Sequence, residues 1–100
     1  MSEQSVSKTV EILNPEGMHA RPADLFAKCA ARFQSSISVS KAGSDPTDAK
    51  SILSLLTLAA SKGTKLTIEA TGADAEQAVQ ALSELVSAEF DASQLDGSTT

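Results

Sequence analysis

The stretch Thr64-Lys65-Leu66-Thr67-Ile68-Glu69-Ala70, followed by Thr71-Gly72-Ala73-Asp74 and then Ala75-Glu76-Gln77-Ala78-Val79-Gln80-Ala81-Leu82-Ser83-Glu84-Leu85-Val86, switches its apolar period within a few residues. Leu66, Ile68 and Ala70 alternate with Lys65, Thr67 and Glu69, which is the period of a strand with one buried face. Ala75, Ala78, Val79, Leu82, Leu85 and Val86 then recur three or four apart, the stripe of an amphipathic helix. Between them, Asp74 with Gln77 three residues on reads as a capping box. A strand feeding directly into a helix, both with one apolar face, calls for a layer of sheet under a layer of helices.

The same two periods recur upstream. Val6, Val10 and Ile12 alternate with Ser7, Thr9 and Glu11, Lys8 being the exception, and predict a first strand over 6–12. Asn14-Pro15-Glu16-Gly17 is a turn, after which Ala23, Phe26, Ala27, Ala30 and Phe33, widened by Leu25 and Cys29, predict a helix from near Arg21 to about Phe33. Ile37 and Val39 among Ser36, Ser38 and Ser40 predict a second strand, and Ala42-Gly43-Ser44-Asp45-Pro46 a loop that leaves room for only a very short third. Asp48 or Ser51 can cap a second helix with Ile52, Leu55, Leu56 and Ala59 on its stripe, ending before Lys62-Gly63. From Ser87 the chain turns polar; residues 1–88 are expected to form one domain and 89–100 a disordered tail, since so little apolar surface cannot offset ordering entropy. The fold class is α+β, a mostly antiparallel sheet with helices on one face.

Composition narrows the function. The 100 residues carry a formal net charge of −5 and three aromatics, all Phe, which argues against nucleic-acid binding. Residues 1–50 hold six basic and six acidic side chains (6 − 6 = 0), residues 51–100 two and seven (2 − 7 = −5), so the acidity belongs to one half. The lone cysteine, Cys29, forms no internal disulfide, no Cys/His set suggests zinc, and the start Met1-Ser2-Glu3-Gln4-Ser5 has neither basic residues nor an apolar run. A cytoplasmic protein without a metal, a cofactor or membrane insertion is expected.

The only histidine, His19, lies between Gly17 and Pro22, and proline favours the first helical position. The chain therefore enters its helix around His19 to Arg21, where the N–H groups of Ala20, Arg21 and Ala23 lack intrahelical partners and the helix dipole is positive. Imidazole beside such an anion site is a plausible nucleophile toward a phosphoryl group, with Arg21 as a fixed cation. Read without that context, a lone histidine caps the helix or sits idle in the loop.

The run Gly17-Met18-His19-Ala20-Arg21-Pro22-Ala23 resembles the active-site signature of the HPr family, the histidine-containing phosphocarriers of the phosphoenolpyruvate-dependent sugar phosphotransferase system. Asp48-Ala49-Lys50-Ser51-Ile52, Lys62-Gly63-Thr64 and Ala70-Thr71-Gly72-Ala73-Asp74 resemble further segments of it, and the likeness covers about residues 6–88. Met18 departs from a commonly Leu position, and the loop from Ala42 to Thr47 is about one residue longer than usual. The resemblance implies an open-faced β-sandwich of four strands and three helices. It also implies that His19 accepts a phosphoryl group on Nδ1 from phosphorylated enzyme I and passes it to enzyme IIA acceptors, as a carrier rather than a free-standing enzyme. Arg21 and the backbone of Ala20 and Arg21 would hold the phosphoryl oxygens, and Ser51 matches the serine modified by the HPr kinase/phosphorylase of some lineages. Arg21, Lys28, Arg32 and Lys50 would form a basic crescent around His19 for acidic partners, with Ile52, Leu53 and Leu56 as apolar docking residues on a monomer. Leu53 is expected to be the most exposed of these, because Ile52, Leu55 and Leu56 share a core-type stripe. Whether the acceptors belong to the sugar branch or to a nitrogen regulatory branch stays open. Two other classes compete. An acyl carrier protein is also small and acidic, but would be all-helical with Asp, not Lys50, before its serine; a ligand-binding module of ferredoxin-like build would give His19 no covalent role.

Overall fold

A computed structural model describes residues 4–90. The elements run β1 (Ser5–Glu11), α1 (Ala20–Ala31), β2 (Ser36–Lys41), β3 (Thr47–Asp48), α2 (Ile52–Thr57), β4 (Lys65–Thr71) and α3 (Ala75–Ser87). The strands form one sheet in the order β1-β4-β2-β3 with every neighbouring pair antiparallel. β4 is central, which fits its strict alternation: Leu66, Ile68 and Ala70 are fully buried while Lys65, Thr67 and Glu69 are exposed. Val6 and Val10 face the same side from the edge strand β1 and are only half-buried. On the uncovered face short hydroxyl side chains dominate, and Thr9 and Thr67, directly opposed, stand 3.2 Å apart at their Oγ1 atoms.

All three helices cover the other face. α3 lies over β1 and β4, and α1 packs against α2 and α3. Phe26 of α1, Leu55 of α2, Leu82 and Val86 of α3, and Ile12, Val39, Leu66 and Ile68 from in or beside the strands are the largest fully buried side chains. Each contributes roughly 1.5–3 kcal/mol by leaving water, so the stripes read from the sequence are what fasten the layers together.

Several local expectations are corrected. α2 stops at Thr57, because Ala59 takes a left-handed φ of 52° that ends the helix and leaves its side chain in solvent, while Leu58 is buried instead. Asp74 precedes α3 but makes no side-chain cap; its carboxylate turns to the α1–β2 connection, accepting from Gln34 N and Ser35 N at 2.9 Å each and from Ser35 Oγ. These bonds, Ser35 Oγ first and Gln34 N next, hold the Asp74 carboxyl below the usual carboxylate range. Gly72 makes room for the approach: a Cβ there would lie 2.9 Å from Ser35 Cα. The packed unit also extends to Phe90, which is buried in the core at the end of a left-handed turn whose N–H returns to Leu85 O at 2.9 Å. The rest of the expected tail, 91–100, lies outside the described residues.

Candidate functional site

The loop from Ile12 to His19 carries the site, and three hydrogen bonds brace it. Asn14-Pro15-Glu16-Gly17 closes as a β-turn, Gly17 N donating to Asn14 O at 3.2 Å, with Pro15 where its fixed φ suits the turn. The buried Asn14 side chain donates from Nδ2 to Gly17 O at 2.8 Å. Met18, buried, donates its N–H to Ala60 O at 2.8 Å and thereby latches the loop to the end of α2. Gly17 is required on two counts: its φ is +72°, and a Cβ would run into the Ala60 carbonyl and lie 2.8 Å from Ser61 Cα. The left-handed turn at Ala59 is what swings the Ala60 carbonyl toward this loop.

His19 follows as the N-cap of α1, with extended backbone and no side-chain capping bond, so its ring is left to other work. Its carbonyl accepts Ala23 N–H at 2.9 Å, which corrects the expectation that Ala23 offers a free donor. Among the described hydrogen bonds none uses the N–H of Ala20 or of Arg21, and Pro22 has none to offer. Two adjacent backbone donors at the positive end of a 12-residue helix thus stand beside the exposed imidazole. The ring is oriented by a residue the sequence reading passed over: Nε2 lies 3.0 Å from Glu16 Oε1. Arg21 is exposed on the first turn of α1 and makes no ion pair among the described residues.

The other expected site residues divide. Ser51 is the N-cap of α2, its Oγ accepting Ser54 N–H at 3.2 Å, while Asp48 caps the preceding turn through Lys50 N at 2.9 Å. Lys50 is half-buried and donates from Nζ to Phe33 O at 2.9 Å, so this ammonium ties the end of α1 to the start of α2 rather than projecting freely. Lys28 pairs with Asp24 at 3.3 Å one turn earlier, and Arg32 is exposed at the C-cap of α1. Leu53 is 74% exposed, and Ile52 and Leu56, which share the core-type stripe and are also expected in the docking patch, are exposed as well at 40% and 37%. With only one and a half turns, α2 buries Leu55 alone within its span. Burial pushes the Cys29 thiol up, opposed by Arg32, and leaves it an uncharged packing residue of α1.

The profile of the family described as PTS HPr component phosphorylation site matches residues 6–88. The phosphocarrier protein HPr of Haemophilus influenzae is 48% identical over 80 residues, covering 80% of this chain and 93% of that protein. HPr of Neisseria meningitidis is 39% identical over 85 residues, 85% of this chain and 94% of that one. Crystalline HPr from Thermoanaerobacter tengcongensis superposes with a TM-score of 0.81 at 37% identity, across 95% of this chain and 99% of that one. The four-stranded antiparallel sheet under three helices is therefore the fold of these relatives. Among the described residues no helix is long and apolar enough to cross a membrane. The chain belongs to the HPr family of phosphocarriers of the phosphotransferase system.

Proposed function

We propose that His19 is the residue that carries the phosphoryl group, on Nδ1, taking it from phosphorylated enzyme I and delivering it to enzyme IIA acceptors. The observation that carries this reading is the pairing of an exposed imidazole with two unengaged backbone donors, Ala20 N–H and Arg21 N–H, at the start of α1. These donors and the Arg21 guanidinium meet the phosphoryl oxygens, and in-line transfer needs little else from the carrier. The partner covers the exposed apolar residues Ile52, Leu53 and Leu56, with Arg21 and Arg32 giving the surface its positive sign toward an acidic partner. Ser51, the cap of α2, is the residue for a regulatory kinase/phosphorylase, since a phosphate there meets a helix N-terminus.

Incubation of the full chain with enzyme I and phosphoenolpyruvate is expected to add one acid-labile phosphate that is absent from His19→Ala. An unmodified wild-type chain in the presence of a competent enzyme I from the same source would refute the reading. A phosphate retained by His19→Ala would move the site elsewhere.

A further inference from the structure

We infer that Glu16 is a positioning residue for phosphoryl transfer: its carboxylate accepts the Nε2–H of His19, keeps the Nδ1 lone pair free for attack, and offsets the positive charge the ring gains when Nδ1 is phosphorylated. The inference rests on the assignment of His19 as the phosphoryl carrier. Its starting observation is the 3.0 Å contact between His19 Nε2 and Glu16 Oε1. A neutral imidazole has one donor and one acceptor nitrogen, and which is which follows from the partner each finds. A carboxylate accepts only, so this contact assigns the proton to Nε2 and the lone pair to Nδ1. None of the described hydrogen bonds uses Nδ1.

Glu16 is placed for this role by backbone rather than by packing. It occupies the third position of the turn closed by Gly17 N and Asn14 O, three residues before His19, and its side chain makes no other ion pair or hydrogen bond among the described residues. At 77% side-chain exposure it contributes little to the core, so its removal leaves the fold in place.

The chemistry balances without any proton moving. The Nδ1 pair attacks phosphorus, the N–P bond forms as the donor's bond to phosphorus breaks, and the donor atom leaves with that bond's electron pair. The ring has then given up a pair while retaining the Nε2 proton, and it carries positive charge that the adjacent carboxylate stabilises, as an aspartate does behind the histidine of a serine protease. On delivery to the acceptor the N–P electrons return to Nδ1 and the original tautomer is restored. The carboxylate and the phosphoryl group address different nitrogens of the ring, so their negative charges do not compete for one position.

The test uses the full chain and the variants Glu16→Gln and Glu16→Ala with cognate phosphorylated enzyme I in quench-flow. Removing the charge is expected to lower kcat about three- to tenfold, at or below the lower bound of the roughly ten- to hundredfold range for groups that orient a reacting ligand because both side chains are solvated, with KM within about twofold. In parallel, 15N spectra of histidine-labelled, unphosphorylated protein are expected to show Nε2 carrying the proton in the wild type and a larger Nδ1–H share in Glu16→Ala. An unchanged kcat overturns the inference. So does a fall in KM alone, which would mean that Glu16 only repels an acidic partner, and so do identical imidazole spectra. Failure of the wild type to accept phosphate would instead refute the carrier assignment, and the spectra would still decide whether Glu16 sets the tautomer.

Discussion

Replacing Gly17 by Ala places one methyl group at the point where the histidine loop touches the end of α2. Three costs add. An L-residue at φ +72° carries about 1–2 kcal/mol of backbone strain. The new Cβ has no room beside the Ala60 carbonyl and Ser61 Cα, so the two segments must separate, and the Met18 N–Ala60 O bond, worth roughly 1 kcal/mol, is lost. The buried bond from Asn14 Nδ2 to Gly17 O is disturbed with it, about another 1 kcal/mol. We expect a total of about 3–4 kcal/mol, a large part of the stability of a small domain. Gly43→Ala supplies the control, because Gly43 has φ +85° and nothing within 4 Å of a Cβ. It keeps the strain and none of the clash, and some of the strain is offset by the stiffer unfolded chain, so about 1 kcal/mol is expected. Urea unfolding at equal m-values measures both variants, and amide exchange at Met18 reports the latch directly. If the two variants fall within 1 kcal/mol of each other, or Met18 stays protected in Gly17→Ala, the close approach is not what demands glycine.

Ala59→Gly is expected to stabilise the chain by about 1 kcal/mol, since it relieves a left-handed alanine at a helix end; a neutral or unfavourable change in urea unfolding would refute this. The Asp74 carboxyl is held below its unfolded value, so its stabilising effect is present above about pH 4 and is lost as pH falls through the folded value. Asp74→Asn is accordingly expected to flatten the acid limb of the stability profile, and a limb as steep as that of the wild type would exclude the Ser35 and Gln34 contacts as its cause. Leu53→Ser is expected to leave stability within about 0.5 kcal/mol while raising KM for enzyme I, because the side chain is exposed; an unchanged KM would remove it from the docking surface.

Strands were legible because each has one wet face, so Leu66, Ile68 and Ala70 announce both the element and its orientation. α3 was legible for the same reason, its stripe persisting over more than three turns. α2 was not, because in six residues a spacing of three or four does not say which edge of the stripe is buried, and Leu55 and Leu58 take the core while Ile52 and Leu56, on the same stripe, stay exposed. His19 and the two donors beside it follow from local rules, a turn, a proline and a helix start. The ties between distant segments do not: Met18 reaches Ala60 at the site, Asp74 reaches Ser35 across 39 residues and Lys50 reaches Phe33 across 17 beyond the far end of α1, and nothing in any of these neighbourhoods names the other. Glu16 was overlooked for a different reason, since a turn has no repeat from which to infer which side chains meet.

The bond from Met18 N to Ala60 O also governs where the polypeptide can change length. An extra residue between Ala60 and Thr64 would shift the carbonyl that receives the histidine loop, and Ile12, which bonds both Gly63 and Thr64, would have to follow. The segment from Ala42 to Pro46 is exposed throughout and lies between the last residue of β2 and the first of β3, so it absorbs added residues without moving His19. Insertions and deletions in this lineage should therefore accumulate at the β2–β3 connection and be purged from the α2–β4 connection, although both are short surface turns.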